Sequence, residues 1–109
     1  MESLSKVKKF LIAHIKYAYL GKIYYTSTSS EPEDFLASMF VEEFISPKER
    51  SYKKLQEAFK QGFHKLKEYW MIEISGYTVN LTSYGEQVAN SITKEQYEKI
   101  KSEVIAGNF

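Results

Sequence analysis

The side chains best placed to do chemistry in this chain are its lysines, and the chemistry they offer is ionic. Between Lys48 and Lys67 seven basic side chains stand against Glu49 and Glu57, whereas Glu31 to Glu43 holds five acids and no base. Net charge is only +1, so any attraction for a polyanion comes from local distribution and not from an overall field. Lys48, Arg50, Lys53, Lys54, Lys60 and Lys65 are spaced to follow phosphates along a duplex. Gln61 and His64 share their face and can reach base edges, and Arg50 suits a guanine or a phosphate. The competing reading is a solvated lysine-rich helix face, salt-bridged to the acidic segment before it.

Other chemistry has little footing. There is no cysteine, which removes disulfides, thiolate nucleophiles and cysteine metal sites. His14 and His64 belong to different segments and lack spaced ligand partners, so His14 reads as a packed core or interface residue. No Gly-rich phosphate loop or nucleophile motif is present, and no enzymatic activity, metal or cofactor is expected. Trp70 and the nine tyrosines have faces on which single-stranded bases could stack, but most lie on apolar stripes that read as core.

The elements that must position these residues follow from periodicity and caps. A first helix spans about 3–20, with Leu4, Val7, Leu11, Ile15 and Ala18 on one side and Phe10, Ile12, Tyr17 and Tyr19 on another. A helix apolar nearly all round is buried on both sides, and in so short a chain the second side suits a partner subunit. Gly21 suits its C-cap. Lys22–Thr26 is β-branched and aromatic and reads as a strand. Ser30 with Glu33 forms a capping box for a second, acidic helix, and Ser46 with Glu49 forms another, with Pro47 at the first helical position. The third helix is expected over 46–69, with Leu55, Phe59, Phe63, Leu66 and Trp70 facing inward and Gly62 allowing close helix approach. A hairpin follows: 70–74, a turn at Ser75, Gly76 and Tyr77, then 78–82. A further helix opens at Ser83, and a last one at Thr93, capped with Gln96 and carrying Tyr97, Ile100 and Val104 as a narrow stripe.

Helix, hairpin, helix, with Leu81-Thr82-x-x-Gly85 closing the hairpin, resembles the recognition helix and wing of a winged helix-turn-helix domain. The run Leu66-Lys67-Glu68-Tyr69-Trp70-Met71-Ile72-Glu73-Ile74 into the wing is similar to MarR and PadR regulators, here of a small archaeal type. The resemblance implies an α+β fold, mostly helical, with a three-stranded antiparallel wing sheet in a single domain over 1–109. It also implies a homodimeric transcriptional regulator or chromatin-associated protein that binds double-stranded DNA, with the third helix in the major groove. A wing tip of Ser75, Gly76 and Tyr77 would then approach the DNA backbone. The dimer interface expected from surplus apolar helix surface is Phe10, Ile12, Tyr17, Tyr19, Tyr97, Ile100 and Val104. A small-molecule effector near that interface is a further implication, although no ligand signature accompanies it. Two features depart from the family pattern: no Lys or Arg lies between Glu68 and Thr93, and the third helix is long. The alternative is a winged-helix protein-interaction module that ignores DNA. No apolar run is long enough to span a bilayer and the start is not signal-like, so an intracellular, nucleoid-associated location is expected. Lysine-rich, cysteine-free composition is compatible with a thermophile.

Overall fold

Ser5 starts the first helix. Its hydroxyl accepts from the Lys8 amide at 3.3 Å, and α1 runs Lys6–Tyr19 in the computed structural model, which describes residues 4–26 and 31–109. Ser3, the start expected from sequence, lies outside the described residues. The helix ends at Leu20, in the left-handed region at φ 58°, and the Gly21 amide reaches back to the Ile15 carbonyl at 2.9 Å. The C-cap is therefore Leu20, one residue earlier than the glycine that the sequence suggests.

The remaining elements are β1 (Lys22–Tyr24), α2 (Pro32–Glu42), α3 (Tyr52–Glu68), β2 (Ile72–Ser75), β3 (Thr78–Leu81), α4 (Ser83–Asn90) and α5 (Lys94–Ile105). The fold is α+β: five helices and one antiparallel sheet in the order β1-β3-β2. Ser30, half of the expected capping box, lies outside the described residues; α2 is capped by Glu31 without a side-chain hydrogen bond and has proline at its start.

The third helix is six residues shorter at its N-terminus than its capping box suggests. Ser46 does act locally, its hydroxyl accepting from the Lys48 amide at 3.2 Å, but residues 46–51 form turns. The physical reason is composition. Ser46 to Ser51 contains no apolar side chain and every residue is exposed, so nothing packs to hold the first turns helical. Lys48 and Arg50 consequently sit in the α2–α3 linker and not on the helix.

At the other end of α3, Trp70 does not continue the inward stripe: it lies past the helix in the left-handed conformation at φ 60°, which turns its side chain out to solvent, and the Met71 amide bonds to the Leu66 carbonyl at 3.0 Å. That cap delays the strand to Ile72. The hairpin closes at the Ser75–Thr78 pair with a two-residue turn, in which Gly76 takes φ 59°. Thr82 leaves the strand and caps α4, its hydroxyl accepting from the Gly85 amide at 3.0 Å. Thr93 and Gln96 make the reciprocal capping box expected for α5.

Ile23, Val79 and Ile74 lie in one register row facing the helices, with Ile72 and Leu81 beside them. The core beneath is aromatic at its centre, where Phe10, Phe40, Phe59 and Phe63 have no accessible surface. Gly62 lets α1 and α3 approach closely: a Cβ there would sit 2.5 Å from the Leu11 side chain.

This core absorbs the surface assigned to a dimer. Phe10, Ile12 and Val104 are fully buried within one chain and Tyr97 is nearly so. They are core residues, because α5 packs its stripe on α1 of the same chain. Of the expected interface only Tyr17, Tyr19 and Ile100 retain partial exposure. No helix among the described residues is long and apolar enough to cross a membrane.

Candidate nucleic-acid interface

The buried stripe of α3 (Leu55, Phe59, Phe63, Leu66) fixes which side chains face out. Lys53, Lys54, Gln61, His64 and Lys65 are exposed and Lys60 is half-buried. Their surroundings split the helix surface into unequal parts.

Toward α2 the cations are answered by acids. Lys60 Nζ lies 3.0 Å from Asp34, and Lys67 Nζ lies 3.7 Å from Glu33. The Asp34 hydrogen bond and charge hold the Lys60 ammonium above its ordinary pKa. The side chain of Gln56 donates to Ser38 at 2.6 Å, further tying α3 to α2. Toward the C-terminus, Lys65 and His64 both face Glu68, at 3.1 and 3.8 Å. Gln61 donates to Glu57 at 3.0 Å, one helical turn away. The two residues placed to read bases are thus hydrogen-bonded or ion-paired along their own helix.

The N-terminal end differs. Among the described residues, no carboxylate lies within ion-pair distance of Lys48, Arg50, Lys53 or Lys54, and Lys54 rests over the Phe109 ring, 5.2 Å from its centroid. Four unneutralised cations therefore gather at the linker and first turn of α3. Two grooves flank the later turns of α3. A groove of about 420 Å³ between α2 and α3 is lined by Glu31, Glu33, Lys60, His64 and Lys67. A second, about 360 Å³, runs between α1 and α3 over Val7, Ala58 and Gly62, with Lys6, Lys8 and Lys65 at its rim.

The hairpin tip expected to form a wing is exposed at Ser75, Gly76 and Tyr77, as a hairpin turn requires. The hairpin itself has no cation, but β1 pairs with β3 and brings Lys22 onto the outer sheet face, opposite Asn80. Sequence spacing hides this, because Lys22 lies far from the hairpin along the chain.

A polar chain that sequence spacing also hides joins three elements, running from the buried His14 and Tyr97 out to Glu43 at the surface. His14 on α1 is 2% exposed; its Nδ1 is 2.7 Å from the Tyr97 hydroxyl on α5, and its Nε2 is 3.1 Å from Glu43 at the end of α2. With Glu43 ionised, Nε2 donates. The Tyr19 hydroxyl donates to the other Glu43 oxygen at 2.6 Å. Burial alone would raise the Glu43 carboxyl, but the hydrogen bonds from His14 and Tyr19 outweigh it and hold its pKa below the ordinary value. Burial pushes Tyr97 up to about 12, and burial plus the Glu43 bond push Tyr19 higher. Phe10 stacks on the His14 ring at 5.0 Å and Phe40 meets it edge-on at 4.8 Å, closing the site against substrate access. His14 is a satisfied core histidine. Among the described residues no group of three or more His, Asp or Glu could hold a metal ion.

Comparison with protein-family models, with curated proteins and with solved structures finds no match to this chain.

Proposed function

We propose that the chain is a winged helix-turn-helix protein that binds double-stranded DNA, as a small transcriptional regulator or chromatin-associated protein and not as an enzyme. The element order α1-β1-α2-α3-β2-β3 with β3 central supports the winged-helix reading. The observation that carries DNA binding is the cluster Lys48, Arg50, Lys53 and Lys54, solvent-exposed and without carboxylate partners among the described residues. In this reading the first turns of α3 enter the major groove, and the linker cations clamp the flanking phosphates. Gln61 and His64 reach bases only by leaving Glu57 and Glu68.

A second reading, a winged-helix protein-interaction module, is favoured by one observation: the acids of α2 already neutralise Lys60 and Lys67. The two separate on salt dependence. Fluorescence anisotropy with a random-sequence duplex at low and moderate salt is expected to show binding that weakens steeply as salt rises, with a slope lowered by about one for each phosphate-contacting lysine removed. Absence of binding at low salt by the folded protein would remove the DNA reading and leave the interaction module.

A further inference from the structure

We infer that the outer face of the three-stranded sheet is a two-fold interface for a second copy of this chain. Among the described residues no helix covers that face. Its two register rows are Lys22–Asn80–Glu73 and Tyr24–Thr78–Ser75, each running from edge strand through β3 to edge strand. Lys22 and Glu73 are exposed, and neither has an ion-pair partner in its own chain among the described residues. They stand two strand spacings apart, about 10 Å, on opposite edges of the sheet.

That arrangement is self-complementary. A two-fold axis parallel to the strands, passing over β3, exchanges the two edges and leaves the middle strand facing itself. It sets Lys22 of each copy against Glu73 of the other, Tyr24 against Ser75, and Asn80 against Asn80, whose amide both donates and accepts. Sheets packed in this way keep their strands within about 30° of each other, as sheet twist prefers. The same rotation brings Leu20, at the entry to β1, over Trp70, at the entry to β2. Both are exposed, by 91% and 76%, and both hold a left-handed backbone that is unfavourable for a residue with a Cβ. Glycine or asparagine would be the ordinary occupant of such a cap. Within one chain these two large apolar side chains gain no burial to offset that cost; against each other across the axis they do. Of the six large apolar side chains most exposed among the described residues, four (Leu20, Tyr24, Trp70 and Tyr77) belong to the sheet, its turn or the residues flanking its strands, whereas the helices expected to dimerise have spent their apolar surface in the core.

The contact involves few residues per copy, at the small end of specific interfaces, so the dimer exchanges with monomer as concentration changes. The interface leaves the first turns of α3 outside it and is independent of the DNA reading.

The test is sedimentation velocity over a concentration series for the wild type, for Lys22→Glu, for Glu73→Lys, and for the double exchange Lys22→Glu/Glu73→Lys. Both substitutions sit on exposed positions, and circular dichroism checks that folding is unchanged. Each single variant sets like charges against each other twice per dimer and is expected to shift the transition to at least tenfold higher concentration; the double exchange restores it. A wild type that stays monomeric at the highest attainable concentration overturns the inference. So does a dimer indifferent to the single charge reversals, or one that the double exchange does not rescue.

Discussion

The Met71 carbonyl lies directly over Gly85: a Cβ built at Gly85 would fall 1.9 Å from that oxygen. Backbone touches backbone, so no rotamer change can relieve an added methyl. Gly85→Ala is expected to destabilise the protein by about 3 kcal/mol or to displace α4 outright. Gly62→Ala meets only side-chain atoms, of Leu11 and Val7, and gains helix propensity, so its cost is expected to be about 1 kcal/mol or less. Urea denaturation of the two variants side by side checks the ranking.

Thr82 holds the same junction from the other side. Its hydroxyl donates to the Trp70 carbonyl while accepting from the Gly85 amide, so one atom joins the end of α3 to the start of α4. Thr82→Ala is expected to cost about 1 to 2 kcal/mol, and Thr82→Ser to recover most of it. A denaturation midpoint that does not move in Thr82→Ala would refute this role.

Glu43 makes stability fall in acid. Its folded pKa is depressed, so its contribution is fully present above the ordinary glutamate value of about 4.3 and is lost as pH drops through the folded value. Glu43→Gln should flatten the acid limb of a stability-against-pH curve relative to the wild type.

Tyr97 and Tyr19 act at the opposite end. Their folded pKa values are raised, so the stabilisation is present below the unfolded value of about 10 and disappears as pH rises beyond it. Ultraviolet titration should show both phenols ionising later than the exposed tyrosines, or only on unfolding. Ionisation of all nine tyrosines in one step near their ordinary pKa would contradict the buried network.

Asp34 gives a test of DNA binding by gain. It neutralises Lys60, so Asp34→Asn frees a cation on α3 and is expected to raise duplex affinity several-fold at low salt. Lys53→Glu should lower it far more than Lys60→Ala, because Lys53 has no such partner to begin with. Anisotropy titrations of the three variants check the order.

Local signals and nonlocal ones were legible to different degrees. Capping chemistry at Thr93, the hairpin around Gly76 and the inward stripe of α3 depend on neighbours within a few residues, and periodicity exposes them. The start of α3 misled because Ser46, Pro47 and Glu49 are a sound cap but carry no apolar surface to anchor the turn. Pairing between distant elements has no periodic trace. Nothing near His14 announces Glu43 or Tyr97, and the cations of α3 look alike in sequence although Lys60 and Lys67 face acids while Lys53 and Lys54 do not. The apolar breadth of α1 was visible, but it is met by α3 and α5 of the same chain.

The central place of β3 in the sheet has a kinetic consequence. Strands β2 and β3 are joined by two residues and can zip together on the order of microseconds. Strand β1 precedes both α2 and α3, and Tyr24 must find Thr78 across about half the chain. Closing so long a loop is favourable only after α2 and α3 have collapsed onto α1. The first strand in the sequence is therefore the last to join the sheet, and Lys22 and Tyr24 reach their places on its outer face only when the rest of the domain is already built.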